Sequence, residues 1–222
     1  MMDETSLREE IIRVTRLVCS QGLARSSDGN VSARLDAERI LITPRGLYKM
    51  EMAVEDMVII DGEGQLLEGK PGRQPTTEYN LHLEVYRQRP DLQAVLHAHP
   101  PYTTALSIAG LPFPTDYMPE VLVLLGPVPM APYARPGTSA LGESIRELIR
   151  AHDNIVLSHH GTVCAAQTLE QALMALERME ATAHTYFLAR ALGQPLPLPR
   201  AELEELAELG GYRYRSGGGE VS

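Results

Sequence analysis

Two histidines stand two residues apart in the segment Val95-Leu96-His97-Ala98-His99. If this segment is a β-strand, His97 and His99 point to the same face, because successive side chains of a strand alternate between faces. Two imidazoles on one face can chelate one metal ion. A pair of histidines at the water-exposed end of a strand has the same pattern, so this pair alone is weak evidence for a metal site.

A carboxylate and another imidazole lie on a predicted helix over residues 76–89. Glu78 and His82 are four residues apart and therefore share a face of that helix. Thr76 and Thr77 precede Glu78, so its carboxylate lies near the helix N-terminus, where free N–H groups favour an anion. An acidic residue in the first turn also stabilises a helix without any catalytic role, and this alternative applies to Glu78. His82 is consistent with packing in the core or with a hydrogen bond that supports a metal ligand.

The third candidate is the sequence His159-His160-Gly161, which follows a predicted strand over residues 155–158. A histidine followed by glycine at the end of a buried strand lies where the backbone must turn sharply. Three neutral imidazoles and a carboxylate suit Zn²⁺ or another borderline divalent metal. The two cysteines, Cys19 and Cys164, are not placed to contribute, and we interpret them as reduced core residues.

The elements that must position these residues are interleaved helices and strands. The hydrophobic spacing predicts helices over 7–18, 76–89, 103–108, 138–150, 169–192 and 201–209. It predicts strands over 31–35, 39–43, 58–60, 65–67, 93–99 and 155–158, and short strands joined by turns over 111–136. Two connections are tight hairpins, which favours a layered α/β sandwich with a mixed, partly antiparallel sheet over a pure βαβ fold.

Composition narrows the classes of function. The chain has 222 residues and a formal net charge of −9, which predicts one domain over 1–222, with a proline-led tail over 195–222. The acidic balance argues against a nucleic-acid partner. No apolar run reaches the ~18–20 residues of a membrane span, and the N-terminus is too acidic for a signal peptide. We therefore expect a cytoplasmic protein without a membrane partner.

Five motifs, in this order, resemble the class II aldolase/adducin family and most of all its L-fuculose-1-phosphate aldolase branch. The motifs are Gly29-Asn30, Thr43-Pro44-Arg45-Gly46, Thr76-Thr77-Glu78, His97-Ala98-His99 and His159-His160-Gly161. The resemblance extends from about residue 7 to residue 214. It implies a three-layer αβα sandwich with a mixed, largely antiparallel central sheet. It also implies one zinc ion per subunit, held by His97, His99 and His160, with Glu78 as a fourth ligand when no substrate is bound.

The resemblance further implies reversible retro-aldol cleavage of a ketose 1-phosphate to dihydroxyacetone phosphate and an aldehyde. Glu78 would be the general acid/base at the carbon that becomes nucleophilic. The phosphate would be bound by Gly29, Asn30, Arg45, Gly46, Thr76 and Thr77. Arg45 departs from the family, which has threonine there. Tyr117 would protonate the aldehyde side, and Tyr212, or its rival Tyr214, would reach the site from the tail.

Other activities of the same family remain alternatives: a sugar-phosphate epimerase, a dehydratase and a keto-acid phosphate decarboxylase. A non-catalytic, adducin-like interaction module is an alternative of another class, against which the intact ligand set argues. The family also implies a cyclic homotetramer in which Tyr117 reaches the zinc of a neighbour. The apolar stretch Pro112–Pro132 supports this assembly, because it offers more apolar surface than a free loop on a monomer would.

Overall fold

The computed structural model describes residues 3–212. The strands are β1 Asn30–Arg34, β2 Ile40–Ile42, β3 Val58–Ile60, β4 Leu66–Glu68, β5 Ala94–Ala98, β6 Met130–Ala131, β7 Asn154–Leu157 and β8 Gly161–Ala166. The α-helices are α1 Glu4–Ser20, α2 Tyr79–Gln88, α3 Pro101–Ile108, α4 Pro119–Leu124, α5 Ser139–Ile149, α6 Leu169–Leu192 and α7 Arg200–Leu209.

The strands form one eight-stranded sheet in the order β4-β3-β2-β1-β5-β8-β7-β6. Strands β6 and β7 are parallel, and every other neighbouring pair is antiparallel. Short connections between β1 and β2, β3 and β4, and β7 and β8 account for this, because only antiparallel neighbours can be joined by a tight hairpin. The predicted mixed, largely antiparallel sheet is confirmed.

Two hydrophobic cores lie on opposite faces of the sheet. On one face, α1 and α6 contribute side chains such as Ile11 and Leu176. On the other face, α2 and α5 contribute side chains such as Leu81 and Ile145. The sheet is thus covered by helices on both sides, which confirms the expected three-layer αβα sandwich.

The alternation of side chains along the central strands decides which residues face α2. In β5, Leu96 and Ala98 belong to the core under α1 and α6, and Val95 belongs to the core under α2. His97 therefore points to the α2 side of the sheet. In β1, Val31 packs under α1 and α6, so its neighbours Asn30 and Ser32 also face α2.

Three local expectations were wrong. The predicted helix over 76–89 begins only at Tyr79, so Thr76 and Thr77 precede it and Glu78 is its N-cap residue. The segment 161–166 is strand β8, although no strand was predicted there. Within 111–136 the chain forms a 3₁₀ turn at Thr115–Tyr117 and helix α4, besides the two-residue strand β6.

The apolar stretch Pro112–Pro132 is partly covered by its own chain. Phe113, Val121 and Leu122 are buried within the subunit, whereas Leu124 is exposed. Part of the surface that suggested a partner is therefore core, and the stretch gives less support to an oligomer than its composition indicated. In the part of the chain described here, none of the helices combines the length and the apolar character that crossing a membrane requires.

Candidate metal centre and neighbouring loops

The three candidate histidines lie together at one end of the sheet. His97 is in β5, His99 directly follows that strand, and His160 is in the turn between β7 and β8. Strand β8 pairs with both β5 and β7, so this turn lies beside the end of β5. The centroids of the three rings are 4.7, 4.8 and 4.9 Å apart, and the Nε2 atoms of His97 and His99 are 3.0 Å apart.

The backbone explains why a His-Gly pair is needed in this turn. His159 has a φ of 57°, the left-handed conformation that lets three residues reverse the chain between β7 and β8. A Cβ atom at Gly161 would overlap the carbonyl oxygen of Ala98. Glycine therefore allows β8 to approach the end of β5, and the residue before it, His160, is brought into the cluster, while His159 remains exposed.

Glu78 faces the histidines from the start of α2. One carboxylate oxygen, Oε2, is 3.3 Å from Nε2 of His97, and the other, Oε1, is 3.2 Å from Nε2 of His160. A tetrahedral zinc site with bonds of 2.0–2.1 Å has ligand atoms about 3.3 Å apart. The distances from Glu78 to His97 and His160 therefore fit joint coordination of one small divalent ion.

The hydrogen bonds of the rings also fit a metal. Nδ1–H of His97 donates to the carbonyl oxygen of Thr162 at 2.8 Å, which turns Nε2, the other ring nitrogen, toward the cluster. The ligand atoms of His97, His99 and His160 all lie within 4.8 Å of one another. Three imidazoles and a carboxylate are the donor set that borderline divalent metals prefer.

The charges in the cluster are strongly coupled. Burial raises the pKa of Glu78, but the charge of His97 and the hydrogen bonds from His160, His97 and Asn30 outweigh it and hold that pKa well below its usual range. Burial, followed by the charges of His97 and His160, lowers the pKa of His99 to about 3. An ionised carboxylate and a neutral imidazole are the protonation states in which these groups bind metals.

The loops predicted to bind phosphate converge beside this cluster. The segments around Pro44 and Pro75 form a β-bridge. Arg45 N–H donates to the Gln74 carbonyl at 3.1 Å, and Thr76 N–H donates to the Thr43 carbonyl at 3.2 Å. Thr43 N–H also donates to the Val31 carbonyl, next to Asn30 in β1. The structure thus joins three of the sequence motifs that are far apart along the chain.

The residues of these loops differ in solvent exposure and in the contacts they already make. Arg45 and Thr77 are exposed, and Gly46 has a φ of 73°, which favours glycine. Thr76 is buried, and its hydroxyl oxygen accepts from the backbone N–H of Glu78 at 3.3 Å. A Cβ atom at Gly29 would lie 3.0 Å from the carbonyl oxygen of His97, so this glycine allows a close approach of two backbones.

Lys49 is a buried cation that the sequence analysis did not single out. It is 2% exposed, and its Nζ donates to the carbonyl oxygen of Pro44 at 3.2 Å, in the Thr43–Gly46 loop. Burial lowers its pKa, and the nearby charges of Asp28 and Glu78 act in the opposite direction. Among residues 3–212 it forms no ion pair. Its only signal in the sequence is its position three residues after the loop.

The candidate tyrosines lie elsewhere. Tyr117 is half-buried, and its ring centroid is 4.9 Å from that of Tyr186 on α6. The hydroxyl of Tyr212 donates to the carbonyl oxygen of Leu122 on α4. Within the described part of the chain, neither tyrosine hydrogen-bonds to or stacks on a histidine of the cluster. Tyr214 lies outside the described residues.

The sequence model of the class II aldolase and adducin N-terminal domain matches residues 9–187. A 5-deoxy-D-ribulose 1-phosphate aldolase of Bacillus thuringiensis serovar kurstaki is 33% identical over 203 residues, which cover 90% of this chain and 93% of the relative. An L-fuculose phosphate aldolase of Escherichia coli O6:H1 is 32% identical, with coverage of 89% and 90%.

Not all similar proteins are named for aldol chemistry. A 3-oxo-tetronate 4-phosphate decarboxylase of Escherichia coli O6:H1 is 32% identical over 210 residues, which cover 93% of this chain and 96% of the relative. Among solved structures, an L-fuculose 1-phosphate aldolase superposes with a TM-score of 0.84 and 30% identity, covering 93% of this chain and 97% of that one. The likeness therefore covers almost the whole chain on both measures.

Proposed function

We propose that this chain, which belongs to the class II aldolase and adducin family, is a zinc-dependent aldolase that reversibly cleaves a ketose 1-phosphate into dihydroxyacetone phosphate and an aldehyde. That it is an enzyme of the aldolase type follows from the family and from its aldolase-named relatives. The observation that carries the finer proposal is the cluster of Glu78 with three histidines, which lies directly beside loops suited to an anion.

His97, His99 and His160 would hold the metal, with Glu78 as the fourth ligand in the resting enzyme. Class II aldolases depend on a metal, and the three-histidine group fits zinc by donor type. When bound, the ion would act as a Lewis acid that polarises the substrate carbonyl and stabilises the negative charge that develops on C–C cleavage.

Glu78 would move a proton at the carbon that becomes nucleophilic. In cleavage this carbon receives a proton after the aldehyde leaves, and in condensation it loses one. The ionised state of Glu78 and its position at the N-cap of α2 support this role, because the carboxylate is held by side-chain contacts rather than by its own helix. Its departure from the metal would also open the coordination position that the substrate needs.

The phosphate would be bound by backbone and side-chain donors of Gly29, Asn30, Arg45, Gly46, Thr76 and Thr77. The convergence of the three loops supports this assignment. Lys49 supports it further, since a buried ammonium without a carboxylate partner leaves a positive charge beneath the Thr43–Gly46 loop.

Tyr117 and Tyr212 would act on the aldehyde half of the substrate. Their distance from the cluster in their own chain suits an arrangement in which each serves the site of a neighbouring subunit in a cyclic homotetramer. In such a ring Tyr117 would protonate the aldehyde oxygen in condensation and accept the substrate hydroxyl proton in cleavage. We also propose that the enzyme acts in the cytoplasm.

Decarboxylation of a keto-acid phosphate is the second candidate function. The decarboxylase relative is as similar as the aldolases, and the exposed guanidinium of Arg45 offers a bidentate partner for a carboxylate. Both reactions would use the same carbonyl and phosphate contacts, and they differ in whether an aldehyde or CO₂ leaves. An epimerase or a dehydratase would share the metal site too, whereas an interaction module would not need it.

A substrate panel separates these reactions. The zinc-loaded enzyme is incubated with L-fuculose 1-phosphate, 5-deoxy-D-ribulose 1-phosphate and 3-oxo-tetronate 4-phosphate, and aldehyde and CO₂ are measured together with dihydroxyacetone phosphate. We expect dihydroxyacetone phosphate in equal amount with an aldehyde from a ketose 1-phosphate. CO₂ from the keto acid without aldehyde from either ketose would make the chain a decarboxylase, because dihydroxyacetone phosphate alone is a product of both reactions.

A further inference from the structure

Two polar stripes face each other between α2 and the sheet. On the α2 side, Glu78, His82 and Tyr86 follow one another at intervals of four residues, so they lie on one face. On the sheet, Asn30 and Ser32 alternate with apolar residues of β1 and point toward the same helix. Polar groups buried in such a place must satisfy one another.

Hydrogen bonds join the stripes into one continuous chain. Asn30 Nδ2 donates to Glu78 Oε2 at 2.8 Å, and Asn30 Oδ1 is 2.5 Å from His82 Nε2. His82 Nδ1 is 2.7 Å from the hydroxyl of Ser32, which is 2.8 Å from the hydroxyl of Tyr86. The other four members of this chain of hydrogen bonds are all buried: Asn30, His82, Ser32 and Tyr86.

The hydrogen bonds fix every proton in the chain. Asn30 presents its NH₂ group to Glu78 Oε2, so its amide oxygen, which can only accept, faces Nε2 of His82. His82 is neutral, since burial lowers its pKa to about 3. It must therefore carry its proton on Nε2 and accept at Nδ1 from Ser32, whose oxygen is left to accept from Tyr86.

The far end of the chain is closed. Tyr86 is 4% exposed, and the guanidinium of Arg34 lies over its ring, 4.5 Å from the centroid. The next acceptor, the carbonyl oxygen of Gln93, is 3.5 Å from the tyrosine hydroxyl, at the limit of a hydrogen bond. A chain of hydrogen bonds that ends at a buried tyrosine is suited to holding a group in place rather than to delivering protons.

We propose that His82, Ser32 and Tyr86 are positioning residues that lock the amide of Asn30 and thereby hold the Glu78 carboxylate toward the histidine cluster. The role of Glu78 as metal ligand and acid/base rests on the proposed function, whereas the polarity of the chain does not. Asn30 cannot turn its amide without breaking two hydrogen bonds and placing its oxygen against a carboxylate. The side chain of Glu78 thus has one favoured orientation while it is ionised.

The tautomer of His82 tests the polarity directly. Long-range ¹H–¹⁵N spectra of the ¹⁵N-labelled protein at pH 7, with and without zinc, distinguish the two neutral forms of each imidazole. We expect the Nε2–H form for His82 in both samples. The Nδ1–H form, or a charged ring, would reverse or break the chain and overturn the proposal. No substrate is involved, so this outcome is independent of whether the chain is an aldolase.

Two substitutions of His82 test the positioning role. Glutamine can place an N–H donor where Nε2–H lies, whereas leucine fills a similar volume without a donor. We expect His82→Leu to weaken zinc binding, measured by competition with a chelator, about 10-fold, the lower end of the effect of losing a partner of a metal ligand, because His82 acts on Glu78 through Asn30. We expect His82→Gln to recover most of that loss. In the enzyme assay, kcat should fall with His82→Leu while KM changes little.

Equal zinc affinities for His82→Leu, His82→Gln and the unchanged protein would overturn the proposal, and so would equal losses in both variants, which would indicate packing alone. If His82→Leu does not fold, Tyr86→Phe replaces it, since it removes only the terminal donor and keeps the ring under Arg34. It should lower zinc affinity a few-fold, whereas no change would contradict the role of Tyr86. Tyr79→Phe, on the same helix but outside the chain of hydrogen bonds, is the control and should leave affinity unchanged.

Discussion

The sheet end that holds the histidine cluster and the segment 111–136 with the tail are built in different ways. In the first region, the positions of His97 and His160 follow from strand pairing, a three-residue turn and a glycine that no other residue can replace. In the second region, short helical pieces and prolines carry Tyr117 and Tyr212, whose contacts are with Tyr186 and Leu122.

This difference separates the parts of the proposed chemistry. The groups that would hold the metal and move the proton at carbon all belong to one end of one subunit. The tyrosines that would act on the leaving group contact Tyr186 and Leu122 instead, and in the proposed ring they would serve the site of a neighbouring chain. Substitutions in the histidine cluster should therefore abolish every reaction that depends on the metal site. Substitutions in the segment 111–136 or in the tail should instead change which substrate reacts and which product forms.

The largest effect is expected for His97→Ala. It removes a ligand that a backbone hydrogen bond orients, so the purified protein should contain no zinc and turnover should fall by more than about 10³-fold, the scale of losing a Lewis acid worth several kcal/mol. Metal analysis and the cleavage assay measure this. His159→Asn is the matched control, because asparagine tolerates the left-handed backbone and His159 points away from the cluster. Full zinc occupancy in His97→Ala would exclude the assigned site.

Glu78→Gln should have the second largest effect. Glutamine has the size of glutamate but cannot accept the proton, so turnover should fall at least about 10²-fold, while zinc binding weakens only modestly. Steady-state kinetics and zinc content, measured on the same preparation, separate the two. Near-normal cleavage would contradict the catalytic role and leave Glu78 only its structural role at the start of α2. Glu84→Gln, in α2 but paired with Arg146, is the control.

The cluster was predictable in part because some of its signals are local, whereas the complete ligand set, with His160, came from the family resemblance. The spacing of His97 and His99 gives their common face, and the spacing of Glu78 and His82 gives theirs. Residue spacing could not predict how the strand face that carries the histidines packs against the helix face that carries Glu78 and His82. That depends on the alternation in β1, where Asn30 and Ser32 are polar and their neighbours apolar, a pattern that becomes informative only once β1 is known to lie beneath α2.

The sheet and the long helices were predicted better than the segment 111–136. Helix 169–192 was predicted with the bounds that the structure has, because no glycine or proline interrupts it and Thr168 and Gly193 flank it. Helix α4 was missed because the segment 111–136 is rich in proline and apolar residues and was predicted as short strands, although Pro119 is favourable in a first helical turn. Strand β8 was missed because Gly161 suggested only a turn. The burial of Val121 and Leu122 depends on long-range packing, which composition does not reveal.

Tyr117→Phe should lower cleavage of a ketose 1-phosphate by about 10- to 10²-fold, less than Glu78→Gln, because one proton donor is lost while the metal site is intact. A decarboxylation needs no proton transfer at an aldehyde oxygen, so the same variant should affect that reaction little. Mixing the impaired Tyr117→Phe protein with the inactive His97→Ala protein after dissociation tests the shared site. Mixed oligomers should regain activity, and no recovery in oligomers shown by mass to be mixed would place Tyr117 outside the neighbour's site.

The smallest effect is expected for Lys49→Met. Methionine has nearly the length of lysine and no charge, so the variant keeps the packing but removes the positive charge beneath the Thr43–Gly46 loop. We expect KM for the phosphorylated substrate to rise about 5- to 10-fold with little change in kcat, and inorganic phosphate to inhibit correspondingly less. The melting temperature should stay the same or rise, because a buried charge without an ion-pair partner costs stability. Lys70→Met, at an exposed lysine near Asp56, is the control for net charge and should change neither quantity. A lower melting temperature with an unchanged KM would make Lys49 a support of the loop, and the charge for the phosphate would then have to come from Arg45.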